Sequence, residues 1–378
     1  MISVQRPNLG PEELEAVSKV FDTRWLGLGA TVKQFEDKIR EYTGAKHAIA
    51  VNTGTSAIHI ALAVLDLQPG DEVVVPSMTF VASIQAILAA GGTPVFCEIE
   101  PDTLNMDMDD AFSRVTERTK AMMPIHYGGF VCDMDRLLAF ARPRGIKVVE
   151  DAAHAYGSSY KGRKVGVLGD LTCFSFDPIK NITCGEGGAV TTDDDALAAK
   201  IIPKRILGID NDTWNRYRNE RNWFYEVTTP GFRYHMPNIN AAIGLAQHEK
   251  MERFRTRKVA IVERYKRELA GIEGLRLLKT PLEETFPFFY IVRVESGRRD
   301  AMMKFLKERG IGTGVHYIPN HIQPLFATSK VSLPVTESVF EEMLTLPLHC
   351  ELSDDDVAKV IAEIRSFFSE ALPDRRAL

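Results

Sequence analysis

The chain has 378 residues, of which 45% are hydrophobic and 26% are charged, and its formal net charge at pH 7 is −5. These are the proportions of a globular protein with a sizeable core, and they exclude a disordered or fibrous chain. The sequence has no basic block, no run of ~18 apolar residues and no secretory leader pattern, so we expect a cytoplasmic protein without a nucleic-acid or membrane partner.

A helix is predicted at the start of the chain. Asn8 or Gly10 can cap it, Pro11 suits its first turn, and the pattern runs to about Phe21.

From about residue 46 to residue 192, short apolar runs rich in β-branched residues alternate with helical patterns. Helices are predicted at 56–67, 83–92 and 134–145. Strand–helix alternation favours an α/β fold with a mainly parallel sheet. Seven runs are predicted as strands of this sheet, namely 47–51, 71–77, 93–99, 120–127, 146–151, 171–176 and 188–192.

The last part of the chain predicts a smaller α+β unit. A long helix from about 238 to 269 is expected to connect the two parts, so we place a large domain at 1–249 and a small C-terminal domain at 250–378. The small domain is predicted from a strand-like run at 286–294, a helical run at 298–310, a further segment at 313–318 and a closing helix at 353–370 that Ser353 caps.

The first candidate for chemistry is Lys180, which follows the strand that ends near Phe176. A lysine amine beside a buried strand end can form an imine with an aldehyde. The glycines at 185, 187 and 188 would let the backbone approach a flat ligand. The alternative is a solvated lysine in an ordinary turn.

The second candidate is Asp151, at the carboxyl end of a predicted strand, where ligands of open α/β sheets bind. A carboxylate there can keep a pyridine nitrogen protonated, as carbanion chemistry on pyridoxal phosphate requires. His154 could face the ring or its phenolic oxygen. The alternatives are a helix cap for Asp151 and a packed histidine for His154.

The third candidate is a phosphate site between a strand and a helix. Gly54, Thr55, Ser56 and the amide of Ala57 could cradle a phosphate at a helix N-terminus, although Thr and Ser are also ordinary caps. Ser175 could add a contact.

Phe80, at another strand end, could stack on a cofactor ring or fill the core. The five cysteines are scattered without paired spacing, so no metal site is predicted. Pyridoxal phosphate needs three groups from its protein: a lysine that forms an imine, a carboxylate for the pyridinium nitrogen and a cradle for the phosphate. The sequence places all three on strand ends of one sheet.

The motifs EDAAHAYG (150–157), FSFDPIKNITCGEGG (174–188) and TPGFRYHMPNINAAIGLAQ (229–247) identify a resemblance to the DegT/DnrJ/StrS sugar aminotransferases, a branch of the fold-type-I pyridoxal-phosphate enzymes. It covers essentially the whole chain. The segments KNITCGEGG and LKERGIGTGVHY further resemble the UDP-4-amino-4-deoxy-arabinose type of nucleotide-sugar 4-aminotransferase.

The resemblance implies that Lys180 carries the cofactor as a Schiff base and acts as acid and base, and that Asp151 pairs with the pyridine nitrogen. His154 is implied near the phenolic oxygen. The further roles implied are phosphate contacts for Thr55, Ser56 and Ser175, ring stacking for Phe80, and a place beside the sugar for His316 and His321.

It also implies a homodimer with shared sites, L-glutamate as amino donor and a nucleotide-linked keto sugar as acceptor. Many relatives have an asparagine that reaches the neighbouring subunit's phosphate, where this chain has Arg233, so we expect Arg233 to make that contact instead. The segment 209–228, with Trp214 and Trp223, is expected to shape the sugar pocket.

Two other functions remain open on the sequence. A sugar dehydratase of the same fold is disfavoured because those relatives replace the Schiff-base lysine with histidine. A regulatory protein that binds the cofactor without turnover is the other alternative.

Overall fold

The computed structural model describes residues 1–209, 225–327 and 331–370. Its largest element is a seven-stranded sheet of order β1-β9-β8-β5-β4-β2-β3. Every strand except β9 runs in the same direction, because β9 pairs antiparallel with both β1 and β8. The α/β fold with a mainly parallel sheet is therefore confirmed. The strands are β1 His47–Val51, β2 Glu72–Pro76, β3 Thr93–Cys97, β4 Thr119–Met122, β5 Lys147–Asp151, β8 Leu171–Ser175 and β9 Gly188–Thr192, and a hairpin of β6 Ser159–Tyr160 and β7 Arg163–Lys164 lies beside them.

Helices cover both faces of this sheet, and two apolar clusters fill the layers between. The first helix begins after Gly10, whose amide donates to the carboxylate of Glu13 at 2.8 Å, as the sequence predicts for a capped start. The helices of this part are α1 Pro11–Asp22, α2 Ala30–Thr43, α3 Gly54–Ala63, α4 Val81–Ala89, α5 Met108–Ser113, α6 Met134–Ala141, α7 Asp195–Lys204 and α8 Asn238–Glu249.

The C-terminal part builds a three-stranded antiparallel sheet of order β10-β11-β12 with its own apolar cluster. Its closing helix begins after Ser353, whose hydroxyl accepts from the amide of Asp356 at 3.0 Å. The boundary at residue 249 stays a prediction. The elements are α9 Met251–Leu269, β10 Leu275–Leu277, β11 Tyr290–Val294, α10 Arg299–Glu308, α11 Pro334–Glu342, β12 Met343–Leu346 and α12 Asp354–Glu370.

The single helix predicted over 238–269 is wrong in one respect, because the structure divides it at Lys250. This residue has φ −97° and ψ −4°, and α8 ends before it while α9 begins after it. Its ammonium contacts the carboxylate of Glu13 and lies 3.5 Å from that of Glu12. The break therefore coincides with a tertiary contact to α1, which apolar periodicity does not register.

The strand predicted over 286–294 is shorter than expected and begins at Tyr290. The residues before it leave the small sheet because they pack against the large one. The carbonyl of Phe286 accepts a hydrogen bond from Asn181 at 3.1 Å, and the ring of Phe288 stacks on His154. Segment 313–318 forms no named strand and pairs with β12 through Gly314 alone.

Within the described ranges, no helix is both long and apolar enough to cross a bilayer. Residues 210–224, which include Trp214 and Trp223, lie outside the described residues.

Candidate active site

A cavity of about 400 Å³ opens at the carboxyl ends of the parallel strands. The residues that line it follow the ends of β1, β2, β4, β5 and β8, together with segment 313–318 of the small domain. Ligands of open α/β sheets bind at this edge. Of the predicted site residues, the cavity is lined by Gly54, Thr55, Phe80, Asp151, His154, Ser175, Lys180 and His316.

Lys180 reaches the cavity from the loop that follows β8, where its amide donates to the carbonyl of Asp177 at 3.1 Å. Its Nζ lies 4.3 Å from the ring centroid of Phe288. Burial lowers the pKa of the Lys180 ammonium to about 8, while the carboxylates of Asp177 and Asp151 act in the opposite direction. The neutral, nucleophilic amine is therefore more populated near neutral pH than that of an exposed lysine.

Asp151 is the last residue of β5 and is buried. Its Oδ2 accepts a hydrogen bond from the Ser83 hydroxyl at 2.7 Å, and its Oδ1 accepts from the amide of Ala153 at 3.1 Å. A turn follows β5 at this point, so Asp151 does not cap a helix. The two hydrogen bonds fix the carboxylate at the wall of the cavity.

His154 is buried beside the cavity, with its ring stacked on Phe288 at 4.4 Å between centroids and 17° between planes. Its Nε2 lies 3.2 Å from the hydroxyl of Tyr317. Burial lowers the pKa of His154 well below its usual value, and the charge of Lys180 lowers it further. The imidazole is therefore neutral, and its buried Nδ1 has no partner among the described residues, which leaves it free for a ligand.

The predicted anion site lies at the start of α3, where Gly54 and Thr55 line the cavity. Thr53 caps the helix, because its hydroxyl accepts from the amide of Ser56 at 3.0 Å, and the amide of Ala57 donates to the Thr53 carbonyl at 3.1 Å. Gly54 is required here, since a Cβ would lie 2.6 Å from the Cβ of Ser175. Ser56 itself turns away from the cavity, and its hydroxyl donates to Asn52 at 2.7 Å.

Two further predicted residues lie on the cavity wall. Phe80 is 54% exposed, and its ring centroid is 5.4 Å from that of Tyr317. His316 places Nδ1 2.8 Å from the hydroxyl of Thr345, and burial together with Lys180 lowers its pKa to about 4. A broad aromatic surface at the mouth and a neutral imidazole therefore face any ligand.

His321 and Arg233 do not line the cavity. His321 is buried beneath it, with Nδ1 2.7 Å from the hydroxyl of Ser77 and Nε2 3.2 Å from Glu337. Arg233 is exposed and lies outside the cavity of its own subunit. Its contact with a partner subunit stays a prediction.

Several lining residues were missed from the sequence. Thr53 directly precedes Gly54 and Tyr317 directly follows His316, so extending the predicted site by one residue along the sequence would have included them. Ser83, 68 positions from Asp151, had no signal, because its role depends on the packing of α4 against the end of β5. The other lining residues with polar side chains that sequence reasoning passed over are Thr79, Asp177 and Glu186.

These residues fit pyridoxal phosphate. The cavity combines an amine, a fixed carboxylate, a neutral histidine with an unsatisfied Nδ1 and a helix N-terminus that a Cβ at position 54 would obstruct. In the described part of the chain, no three His, Cys, Asp or Glu side chains are grouped to hold a metal ion.

Comparisons with known proteins agree with this description. The sequence profile of the DegT/DnrJ/EryC1/StrS aminotransferase family matches residues 7–365. The spore coat polysaccharide biosynthesis protein SpsC of Bacillus subtilis is 39% identical over 378 residues, covering 97% of this chain and 96% of SpsC. The Streptococcus pneumoniae protein Spr1654 is assigned as a sugar aminotransferase and has been solved with pyridoxal phosphate (PLP) and with pyridoxamine phosphate (PMP). Its PMP form superposes on this chain with a TM-score of 0.93 at 31% identity. The match covers 98% of this chain and 100% of Spr1654. The aminotransferase TlmJ from Streptoalloteichus hindustanus has a TM-score of 0.92 at 37% identity, covering 98% and 99%.

Proposed function

Because this chain belongs to the DegT/DnrJ/EryC1/StrS aminotransferase family, we propose that it transfers an amino group from L-glutamate to a nucleotide-linked keto sugar, with the ketone at C4. The product is an amino sugar for a cell-surface glycan, a lipopolysaccharide or an antibiotic. The observation that carries the proposal is the convergence of Lys180, Asp151, His154 and the start of α3 on one cavity.

Pyridoxal phosphate is the cofactor of this family. It supplies an aldehyde for imine exchange and a pyridinium ring that withdraws electrons from the reacting carbon. The start of α3 and the Ser175 hydroxyl would hold its phosphate, Asp151 its ring nitrogen, His154 its phenolic side and Phe80 one ring face.

Lys180 performs the proton transfers. Its Nζ would take the proton from the α-carbon of glutamate and hold it for return; water would then supply the keto oxygen of 2-oxoglutarate, and the amino group would stay on the cofactor for transfer to the sugar. The second stage reverses these steps at the sugar carbon. Asp151 favours both stages because a buried carboxylate keeps the facing ring nitrogen charged.

The proposed acceptor and assembly have separate support. SpsC acts in polysaccharide biosynthesis, and Spr1654 is assigned as a sugar aminotransferase, which favours a sugar over an amino-acid acceptor. Leu14 and Phe21 of α1 are 75% and 58% exposed, an apolar surface that favours a homodimer, with Arg233 reaching the partner's site. We place this enzyme in the cytoplasm, where its nucleotide-linked substrates are made.

The test is incubation of the cofactor-loaded protein with L-glutamate and a panel of nucleotide-linked keto sugars, followed by mass spectrometry. We expect one 4-keto sugar to gain an amine while an equal amount of 2-oxoglutarate forms. Lys180→Ala should abolish both products, whereas Lys46→Ala, which changes an exposed lysine paired with Asp195, should keep them. Ample glutamate-driven turnover by Lys180→Ala would refute the assignment. Ammonia without 2-oxoglutarate would favour a dehydratase.

A further inference from the structure

Lys258 of α9 is a buried cation that the proposed mechanism does not use. It is 5% exposed, and within the described ranges its ammonium makes one hydrogen bond, to Oδ1 of Asn181 at 2.9 Å. Lys250, eight residues earlier, is almost as buried but contacts the carboxylates of Glu12 and Glu13. A buried charge without a counter-charge destabilises a fold, so the burial of Lys258 indicates a role other than packing.

Asn181 connects Lys258 to the active site. It directly follows Lys180, and its Nδ2 donates to the carbonyl of Phe286 at 3.1 Å. Lys258 Nζ lies 5.7 Å from the ring centroid of Phe286, and Lys180 Nζ lies 4.3 Å from that of Phe288. Both ammonium groups therefore contact the segment 286–288, and Lys258 secures the residue next to Lys180.

Other charged and titratable groups surround the two amines. Lys180 faces the carboxylates of Asp177 and Asp151, and the cavity around it also holds His154, His316, Tyr317 and Glu186. His154 and His316 are neutral near pH 7, so the described cavity offers Lys180 carboxylates but no other permanent cation.

The titratable groups coupled to Lys258 are Cys350, His349 and Lys180. Burial lowers the pKa of Lys258 to about 8, Cys350 acts against this, and the charge of Lys180 lowers it further. Electrostatic coupling between two sites is reciprocal, so a charged Lys258 must also disfavour the charged form of Lys180.

We propose that Lys258 is a positioning residue for Lys180: its ammonium fixes Asn181 and the segment 286–288 around the reactive amine and brings a second cation to that segment. A lysine next to a second cation is a known way to obtain a nucleophilic amine near neutral pH. An asparagine at position 181 suits this role, because an aspartate would pair with Lys258 and cancel its field. The proposal rests on the proposed function in taking Lys180 as the proton-transfer base.

The test is the pH titration of the visible absorbance of the cofactor-loaded full chain, which reports protonation at the Lys180 nitrogen. The titration runs from about pH 5 to about pH 10. We expect Lys258→Met to raise its midpoint by ~1 pH unit, because removing a nearby cation favours the protonated form of the Lys180 nitrogen. Asn181→Asp should raise it in the same direction. Lys258→Arg, which keeps the charge, should stay within ~0.3 unit of the unmodified protein.

Lys266 gives a matched control on the same helix, since it donates to the carbonyl of Thr280 away from Lys180. Lys266→Met should leave the midpoint unchanged. Thermal melts establish that each variant is folded, and if Lys258→Met is not, the comparison of Asn181→Asp with Lys258→Arg decides. Midpoints of Lys258→Met and Asn181→Asp equal to that of the unmodified protein would overturn the proposal. The titration contains no sugar, so its outcome is independent of the acceptor assigned above.

Discussion

The surroundings of Lys180 give its amine a lower pKa than that of an ordinary exposed lysine. Most lysines of the chain are exposed or paired with carboxylates, whereas Lys180 lies above the ring of Phe288 at the end of a buried strand. Desolvation lowers its pKa to about 8, and the carboxylates of Asp177 and Asp151 keep it from falling further. The amine is thereby available as nucleophile and base near neutral pH.

At the same scale, Asp151→Asn should separate electrostatics from packing. The amide keeps the shape but removes the charge that would face a ring nitrogen, so we expect turnover to fall by ~10²-fold or more with little change in thermal stability. Stopped-flow absorbance of the glutamate half-reaction and a thermal melt measure both.

Glu150→Gln is the matched control, because Glu150 is the adjacent buried carboxylate of β5 and pairs with His126 at 2.8 Å on the other face of the strand. It should lower stability and affect the half-reaction far less. Equal losses of rate in both variants would contradict the assigned role of Asp151.

Among the elements, the segment 313–322 shows how the small domain contributes to the site. His316 and Tyr317 line the cavity, while the next residues attach to the end of β2. The side-chain amide of Asn320 donates to the carbonyls of Ser77 and Thr79 at 3.0 and 2.8 Å. The Ser77 hydroxyl accepts from the amide of His321 at 2.9 Å and lies 2.7 Å from Nδ1 of that ring, while Nε2 lies 3.2 Å from a carboxylate oxygen of Glu337.

His321→Ala therefore tests an anchor and not a substrate contact. Loss of a buried ring with two hydrogen-bond partners should reduce the free energy of unfolding by ~2 kcal/mol, as measured by denaturant titration. Turnover should fall less than in His316→Ala, in which the ring at the cavity wall is lost. A variant of normal stability that has lost turnover would show that His321 contacts substrate, as the sequence predicts.

On the scale of the whole molecule, a shared site makes a prediction about mixed subunits. If Arg233 serves the partner's site, Lys180→Ala and Arg233→Ala should each be nearly inactive, and a mixed dimer should contain one site with both residues intact. Random re-association of equal amounts should then restore about a quarter of the full activity.

The measurement is turnover after mixing, unfolding and refolding, with light scattering to establish the dimer. Lys180→Ala mixed with Asp151→Asn is the control, because both changes lie in one subunit's cavity. In that pair each mixed dimer carries one defect per site, and no recovery should occur. Absence of recovery in the first pair would show that Arg233 does not serve the partner's site.

The sequence by itself determined the large sheet and the centre of the site. All seven runs predicted as strands pair in one sheet, since strands buried on both faces must be continuously apolar and leave a readable pattern. Lys180, Asp151 and Gly54 line the cavity as the sequence predicts, because each lies at or just after the end of a strand at the carboxyl edge of the sheet. The family resemblance rested on the same motifs.

Only the tertiary structure decided which more distant residues meet. It placed His316 at the cavity and His321 beneath it, divided the predicted long helix at Lys250, and joined Lys258 to the neighbour of Lys180. Each of these outcomes depends on contacts between residues far apart in the chain. Local periodicity records which face of an element is buried, but it does not record which residue of another element that face will contact.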